Sequence, residues 1–277
     1  MRHKTLPILL FCFSLLAYSR IQAQLSIQLS PIEKKASWTA PDRQFKQWKA
    51  VQLEAKNLLS YFQKHEIANL EITLPKGPEW SLVAEKTRLT GPTYTLQVAS
   101  EKGTEIKQGK PSCITLKAYP QQWQEDAEAR ITLDKNFFYA YFRKGKEYYY
   151  IEPLSYYLPS APPNAYISYK ASDVIPVEGK TCGLQEVHKK KKEIISGDLY
   201  KTGNCYEVEL AIASDGLMFQ KYGSVTAVEN HNIAVMNNVA GNWDDEFADE
   251  IQFIIVEQYV STSPAADPWT SSTDANA

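Results

Sequence analysis

The sequence predicts an α+β chain in two unequal parts: a β-rich antiparallel domain, then a strand–helix–strand opening of a parallel α/β domain that looks truncated. Three observations predict it. Residues 24–171 consist of short runs rich in Thr, Tyr, Phe and Ile, broken by Pro and Gly, which are strand signals. Beyond residue 204 an alternating run is followed by a long 3.6-residue stripe and then a continuous apolar run. The length of 277 residues, at roughly 150 per domain, suggests about two domains.

The first element is not part of the fold. Residues 1–23 have a basic start (Arg2, Lys4), an apolar run from Leu6 to Tyr18 and a small residue at Ala23, the pattern of a signal peptide. The run is shorter than the ~20 residues that cross a bilayer, and no other segment approaches that length. The mature chain is therefore expected to be secreted, extracellular or periplasmic, with no membrane span. Cys12 leaves with the segment and lies too deep in the apolar run for lipid attachment. Of the four cysteines, Cys113, Cys182 and Cys205 remain, an odd number that cannot all pair within one chain.

Within residues 24–171 the one convincing helix places Ala55, Leu58, Leu59 and Phe62 on one face. Strand-like runs follow at 68–74, 93–98, 112–118, 129–133, 137–142 and 148–151, several with polar residues interleaved as in an antiparallel sheet with one wet face. Lys144-Gly145-Lys146 reads as a hairpin turn. A further strand-like piece covers 166–169. Residues 172–203 hold few apolar side chains and carry Lys189, Lys190, Lys191 and Lys192 in a row, the composition of an exposed linker. Four lysines there are a solvated loop and also an accessible target for a Lys-directed protease.

Residues 204–277 form the second part. Tyr206, Val208, Leu210 and Ile212 alternate with acidic and small residues, which predicts a strand. Asp215 stands where a helix N-cap is expected. Met218, Tyr222, Val225, Val228, Ile233, Met236 and Ala240 then make a stripe to about Gly241, weakened locally by Gly223. Ile251–Val256 is a near-continuous apolar run of the kind buried on both faces of a parallel sheet. Two strands and a helix cannot cover such a sheet, so the domain looks cut off.

Charge narrows the function classes. Thirty basic against 32 acidic residues give a net charge of −2 and a pI near 6.1, which argues against a nucleic-acid-binding protein with its strongly basic face. Loss of Arg2, Lys4 and Arg20 leaves 27 basic residues and a net charge of −5.

Val208–Asp215, the long helix containing Met236-Asn237-Asn238, and Phe253–Val256 with Thr262 resemble the start of the catalytic domain of reprolysin (adamalysin) type zinc metallopeptidases, a metzincin family. Tyr149–Leu154 and Tyr166–Tyr169 are similar to that family's propeptide. The resemblance implies a latent secreted zinc metalloendopeptidase: signal peptide 1–23, propeptide 24–171, linker 172–203, and the N-terminal part of a metzincin α/β catalytic domain at 204–277. It implies protein or peptide substrates and an activating protease cleaving at Lys189–Lys192.

The resemblance also assigns residues. Gly179-Lys180-Thr181-Cys182-Gly183-Leu184 resembles the family's cysteine switch, usually Pro-Lys-Met-Cys-Gly-Val, and departs from it at Gly179 and Thr181. Cys182 would be an inhibitory ligand in the open fourth position of the catalytic zinc. Against that stands a disulfide from Cys182 to Cys113 or Cys205. Glu209 corresponds to a first-strand glutamate that helps bind structural calcium in the family, and reads equally as a solvent-facing strand residue.

The metzincin zinc motif H-E-x-x-H-x-x-G-x-x-H is absent from these 277 residues. His3, His65, His188 and His231 share no ligand spacing, and His231, between Asn230 and Asn232, reads as an exposed helix residue. Asp244, Asp245, Glu246, Asp249 and Glu250 lack the spacing of a calcium loop and read as a solvated cluster. No catalytic residue is assigned, and the chain alone is expected to be inactive. The alternative from another class is an exported, non-catalytic β-rich binding or assembly protein.

Overall fold

The computed structural model describes residues 24–53, 56–74, 78–122, 126–176, 206–247 and 250–269. The strands are β1 Gln24–Gln28, β2 Ser30–Pro31, β3 Lys49–Gln52, β4 Ile67–Thr73, β5 Glu79–Thr87, β6 Thr90–Ser100 and β7 Gly103–Gln108. They continue as β8 Ile114–Pro120, β9 Ala127–Asp134, β10 Phe137–Lys144, β11 Glu147–Pro153, β12 Ala165–Lys170, β13 Tyr206–Ser214 and β14 Ile251–Ser261. The helices are α1 Lys56–Phe62, α2 Gly216–Tyr222 and α3 Val225–Phe247.

Ten strands form one sheet in the order β1-β4-β5-β8-β9-β10-β11-β12-β3-β2. Its two outer strands are neighbours in sequence, separated by Leu29 alone. β1 pairs in parallel with β4, and β2 pairs antiparallel with β3. The Leu29 amide donates to Thr73 at 3.4 Å and the Ile32 amide to Ala50 at 2.9 Å. The sheet therefore curls until one extended stretch serves both ends, and the result is a nearly closed barrel. Alternation explains its filling: Ala129, Ile131 and Leu133 of β9 and Phe138, Ala140 and Phe142 of β10 point inward, where they meet Leu70, Leu82 and Ile151. The predicted helical face of Leu58, Leu59 and Phe62 lies on α1 and packs into this same core.

Four strands form the second sheet, in the order β13-β14-β6-β7. β13 and β14 are parallel, with α2 and α3 between them in sequence. Asp215 is the N-cap of α2, its Oδ1 accepting the Met218 amide at 2.8 Å. Gly223, at φ +82°, ends α2 in the left-handed region that a side chain disfavours, and α3 starts two residues later.

The predicted fold class is corrected here. The molecule is mostly β, and the C-terminal strands do not open a separate metzincin α/β domain. β14 pairs in parallel with β6, Glu257–Ser261 against Thr95–Ala99, so strands from both halves of the chain share one sheet. The physical reason is that an apolar run states only that a strand is buried. It does not state its neighbour, and a partner some 160 residues distant leaves no local mark. α3 covers one face, and Leu89, Tyr94, Leu96, Val228, Ile233, Ile255 and Val260 fill the space between.

Candidate functional site

Few of the site residues named from sequence fall within the described structure. Cys182, Cys205, His188, Asp249 and Lys189–Lys192 lie outside the described residues, as does the segment 1–23. Glu209 sits on β13 with an exposed side chain. Among the described residues no group of three or more His, Cys, Asp or Glu side chains is placed to hold a metal ion. Calcium takes six to eight oxygen ligands, and among the described residues Glu209 is not joined by others that could supply them, nor do described residues make up a zinc site. Cys113 is half-buried and, among the described residues, a free thiol. His65 stacks on Tyr61 at 4.1 Å.

What the fold does build is a seam. α3 lies across the outer faces of β8, β9 and β10. Glu128, Arg130 and Thr132 of β9 point out of the barrel and are nonetheless buried, because the helix covers them. α3 has two faces. The stripe Val225, Val228, Ile233, Met236 and Ala240 faces the four-stranded sheet. A second stripe, Asn230, Ala234, Asn237, Gly241 and Asp244, recurs every three to four residues and faces the barrel.

Each position of that second stripe has a partner on the barrel. Asn230 donates to Asp134 at 3.2 Å, and Ala234 packs on Phe137 and Tyr139. The Asn237 side-chain amide donates to the Ile131 carbonyl at 3.1 Å and to Thr132 at 3.2 Å. Gly241 is the point of closest approach: a Cβ there would overlap the Tyr141 hydroxyl and lie 3.0 Å from Arg130 Nε. Asp244 accepts from Arg130, and from Lys117 at 3.0 Å.

The electrostatics follow from burial. Arg130 also donates to Glu128 at 2.8 Å. Burial works against its charge, but Glu128 and Asp244 more than offset this and hold the guanidinium above its ordinary pKa. Further along, Glu229 is buried and accepts from Tyr94 at 2.8 Å. Burial raises its carboxyl pKa despite that bond, and Asp134 adds to the rise. The Cys113 thiol is pushed up by burial, by Glu229 and by Asp134, so it is not an activated nucleophile. It lines a cleft of about 650 Å³ beside the seam, with Lys86, Arg88 and Lys110 at its rim.

At the far end His231 stands among aromatic rings. It stacks on Tyr222 at 4.3 Å and meets Tyr156 edge-on at 5.4 Å and Tyr139 at 6.1 Å. Beneath them Glu152 is buried and accepts from Tyr169 and, at 3.1 Å, from Tyr157. Burial raises the Glu152 carboxyl in spite of both donors.

Two sequence expectations change. His231 is not an exposed helix residue, because the barrel and α2 enclose it. Asp244, grouped with a solvated acidic cluster, instead closes a part-buried ion triad with Arg130 and Lys117. Polar residues on a helix ordinarily mean water; here a second surface supplies their partners. The usable signal was the 3–4 spacing of Asn, Ala, Asn, Gly and Asp, small and polar side chains that allow backbones to approach closely.

No family model matches the chain, and no curated protein matches it. Among solved structures, the crystal structure of metalloproteinase-II from Bacteroides fragilis is similar over 90% of this chain and 62% of that one, at 8% identity and a TM-score of 0.38. The chain thus spans less than two thirds of that protein's length, and a likeness this loose transfers neither fold nor activity. Among the described residues no helix is long and apolar enough to cross a membrane.

Proposed function

We propose that this chain is the N-terminal part of a secreted zinc metalloendopeptidase made in latent form, its barrel acting as a releasable pro-module docked on the C-terminal segment. In this reading Cys182 is the inhibitory zinc ligand, Glu209 a calcium ligand completed by residues elsewhere, and Lys189–Lys192 the activation cleavage site. The observation that carries it is the polarity of the seam. The barrel and α3 meet through Asn230, Asn237 and the Arg130–Asp244–Lys117 triad. Buried ion pairs contribute specificity more than net stability, and polar interfaces within a chain are those that come apart. The order of the motifs, with Cys182 and the lysines between barrel and β13, agrees with it.

The test is a peptidase assay on the complete product of the gene, before and after limited cleavage with a Lys-specific protease. The reading expects chelator-sensitive hydrolysis only after cleavage, and activity without cleavage in Cys182→Ala. Absence of chelator-sensitive hydrolysis under both conditions would sink it.

One observation favours the second reading, a non-catalytic β-rich binding protein. β6 is hydrogen-bonded to β14, which stitches the two halves into one sheet. Gel filtration after the same cleavage separates the readings: a pro-module dissociates, whereas a permanent assembly elutes as before.

A further inference from the structure

We propose that His231 makes the seam acid-sensitive: protonation of its ring drives α2 and the first turns of α3 off the outer face of the barrel. The geometry carries this. His231 projects from α3 into a pocket closed by Tyr222 of α2, Tyr156 of the 3-10 turn Leu154–Tyr156, and Tyr139 of β10. Its Nε2 is hydrogen-bonded to the Tyr222 hydroxyl at 2.9 Å, while Nδ1 is buried with no hydrogen-bond partner. The Tyr156 hydroxyl is likewise buried without one.

A neutral ring keeps the Tyr222 bond in either tautomer and leaves only an uncharged Nδ1 unpaired. A protonated ring does not. Both nitrogens then carry hydrogens, Tyr222 must turn to accept, and Nδ1–H directs positive charge into an aromatic pocket where nothing lies within hydrogen-bond reach of it.

The charged and titratable groups around the ring reinforce the effect or oppose it in identifiable ways. Lys221 of α2 repels the imidazolium. Burial first, then Lys221, lowers the His231 pKa from 6.5 to about 4. Burial and then Glu152 push Tyr222 up to about 12, so it stays neutral. Tyr139 and Tyr156 are raised by burial first and stay neutral too. Glu152 of β11 and Glu229 of α3 have raised carboxyl pKa values and titrate the opposite way, favouring the docked state as pH falls.

The sign for His231 follows from linkage. Its folded pKa is depressed, so its support for docking is complete above 6.5 and is lost as pH falls toward 4. From those two values the undocked form gains about 20-fold relative to the docked form between pH 7 and pH 5. The opposing carboxyls change the wild-type profile but cancel in a comparison with a His231 variant.

The experiment is hydrogen–deuterium exchange of the full chain at pH 7 and pH 5, corrected for intrinsic rates. Peptides covering 216–247 are compared with barrel peptides covering 127–144, in wild type and in His231→Gln. The expected result is an opening equilibrium for 216–235 that rises about 20-fold more in wild type than in the variant, with barrel peptides unchanged. Equal pH dependence in the two proteins overturns the proposal. Should His231→Gln fail to fold, the wild-type ring titration followed by NMR decides: an inflection near 4 supports the proposal and one near 6.5 overturns it. Neither outcome depends on peptidase activity, so failure here leaves the pro-module reading standing.

Discussion

Replacing Gly241 by Ala should destabilise this protein, although the same change inside most helices does the reverse. An exposed helical Gly→Ala substitution gains about 1 kcal/mol, because Ala loses less backbone freedom on folding. At Gly241 the added methyl falls on the Tyr141 hydroxyl, 3.0 Å from Arg130 Nε and 3.1 Å from its Cγ. Neither neighbour can retreat: both are only 2% exposed, and Arg130 is tied to Glu128 and Asp244. Overpacking by one methyl costs about 1–3 kcal/mol. Displacing Arg130 from its carboxylates adds a fraction of the ~3–5 kcal/mol for breaking a buried pair. The net expectation is a loss of about 2 kcal/mol, which for a chain of this size lowers Tm by about 4–8 °C. Thermal unfolding followed by near-UV circular dichroism reads it directly. Asn242→Ala, one residue on and exposed, is the control and should leave Tm unchanged or slightly raised. If Gly241→Ala raised Tm as much as the control, the close approach of α3 to the barrel would be refuted.

Other perturbations probe the remaining parts of the fold. Arg130→Met should cost about 3–5 kcal/mol in urea unfolding by leaving buried Glu128 without its closest cation, while Asp244 keeps Lys117, and adding Glu128→Gln should recover part of the loss; an additive double mutant would speak against the buried Arg130–Glu128 pair. Phe62→Ala removes a fully buried ring from the barrel core and should cost about 3–5 kcal/mol in the same assay. Cys113 should resist iodoacetamide at pH 8 in the native protein and react rapidly in urea, as measured by mass spectrometry, because burial and Glu229 raise its thiol. Labelling at equal rates in both conditions would contradict that assignment.

Parts of this architecture were legible in the amino-acid sequence. Leu58, Leu59 and Phe62 announced α1 because a short amphipathic helix has only one way to bury its stripe. Asp215 announced the start of α2, and Val225, Val228, Ile233, Met236 and Ala240 announced the sheet-facing side of α3. Each signal is local, spanning a few turns. What stayed hidden depends on distant partners. β6 alternates like its neighbours, and nothing in Thr90–Ser100 states that it leaves the barrel to lie beside β14. The barrel-facing stripe of α3 was hidden for a related reason: Asn230, Asn237 and Asp244 are as suited to water as to Asp134, Ile131 and Arg130. The metal-site expectations rested on a family resemblance, and they fall on exposed Glu209 or outside the described residues.

The strand shared between the two ends of the barrel has a further consequence for how this molecule meets others. Because β1 and β2 occupy both margins of the large sheet, that sheet presents almost no free row of backbone amides and carbonyls on which a foreign strand could grow. Among the described residues, the long unpaired margins are those of the small sheet. β7 is exposed along its whole length and carries Glu105 and Lys107, charges that discourage stacking of like strands. β13 is built alike: it exposes Tyr206 and Val208 beside Glu207 and Glu209, as β7 exposes Ile106 between Glu105 and Lys107. Self-association that begins from the native state should therefore start at one of these two margins, however stable the barrel is.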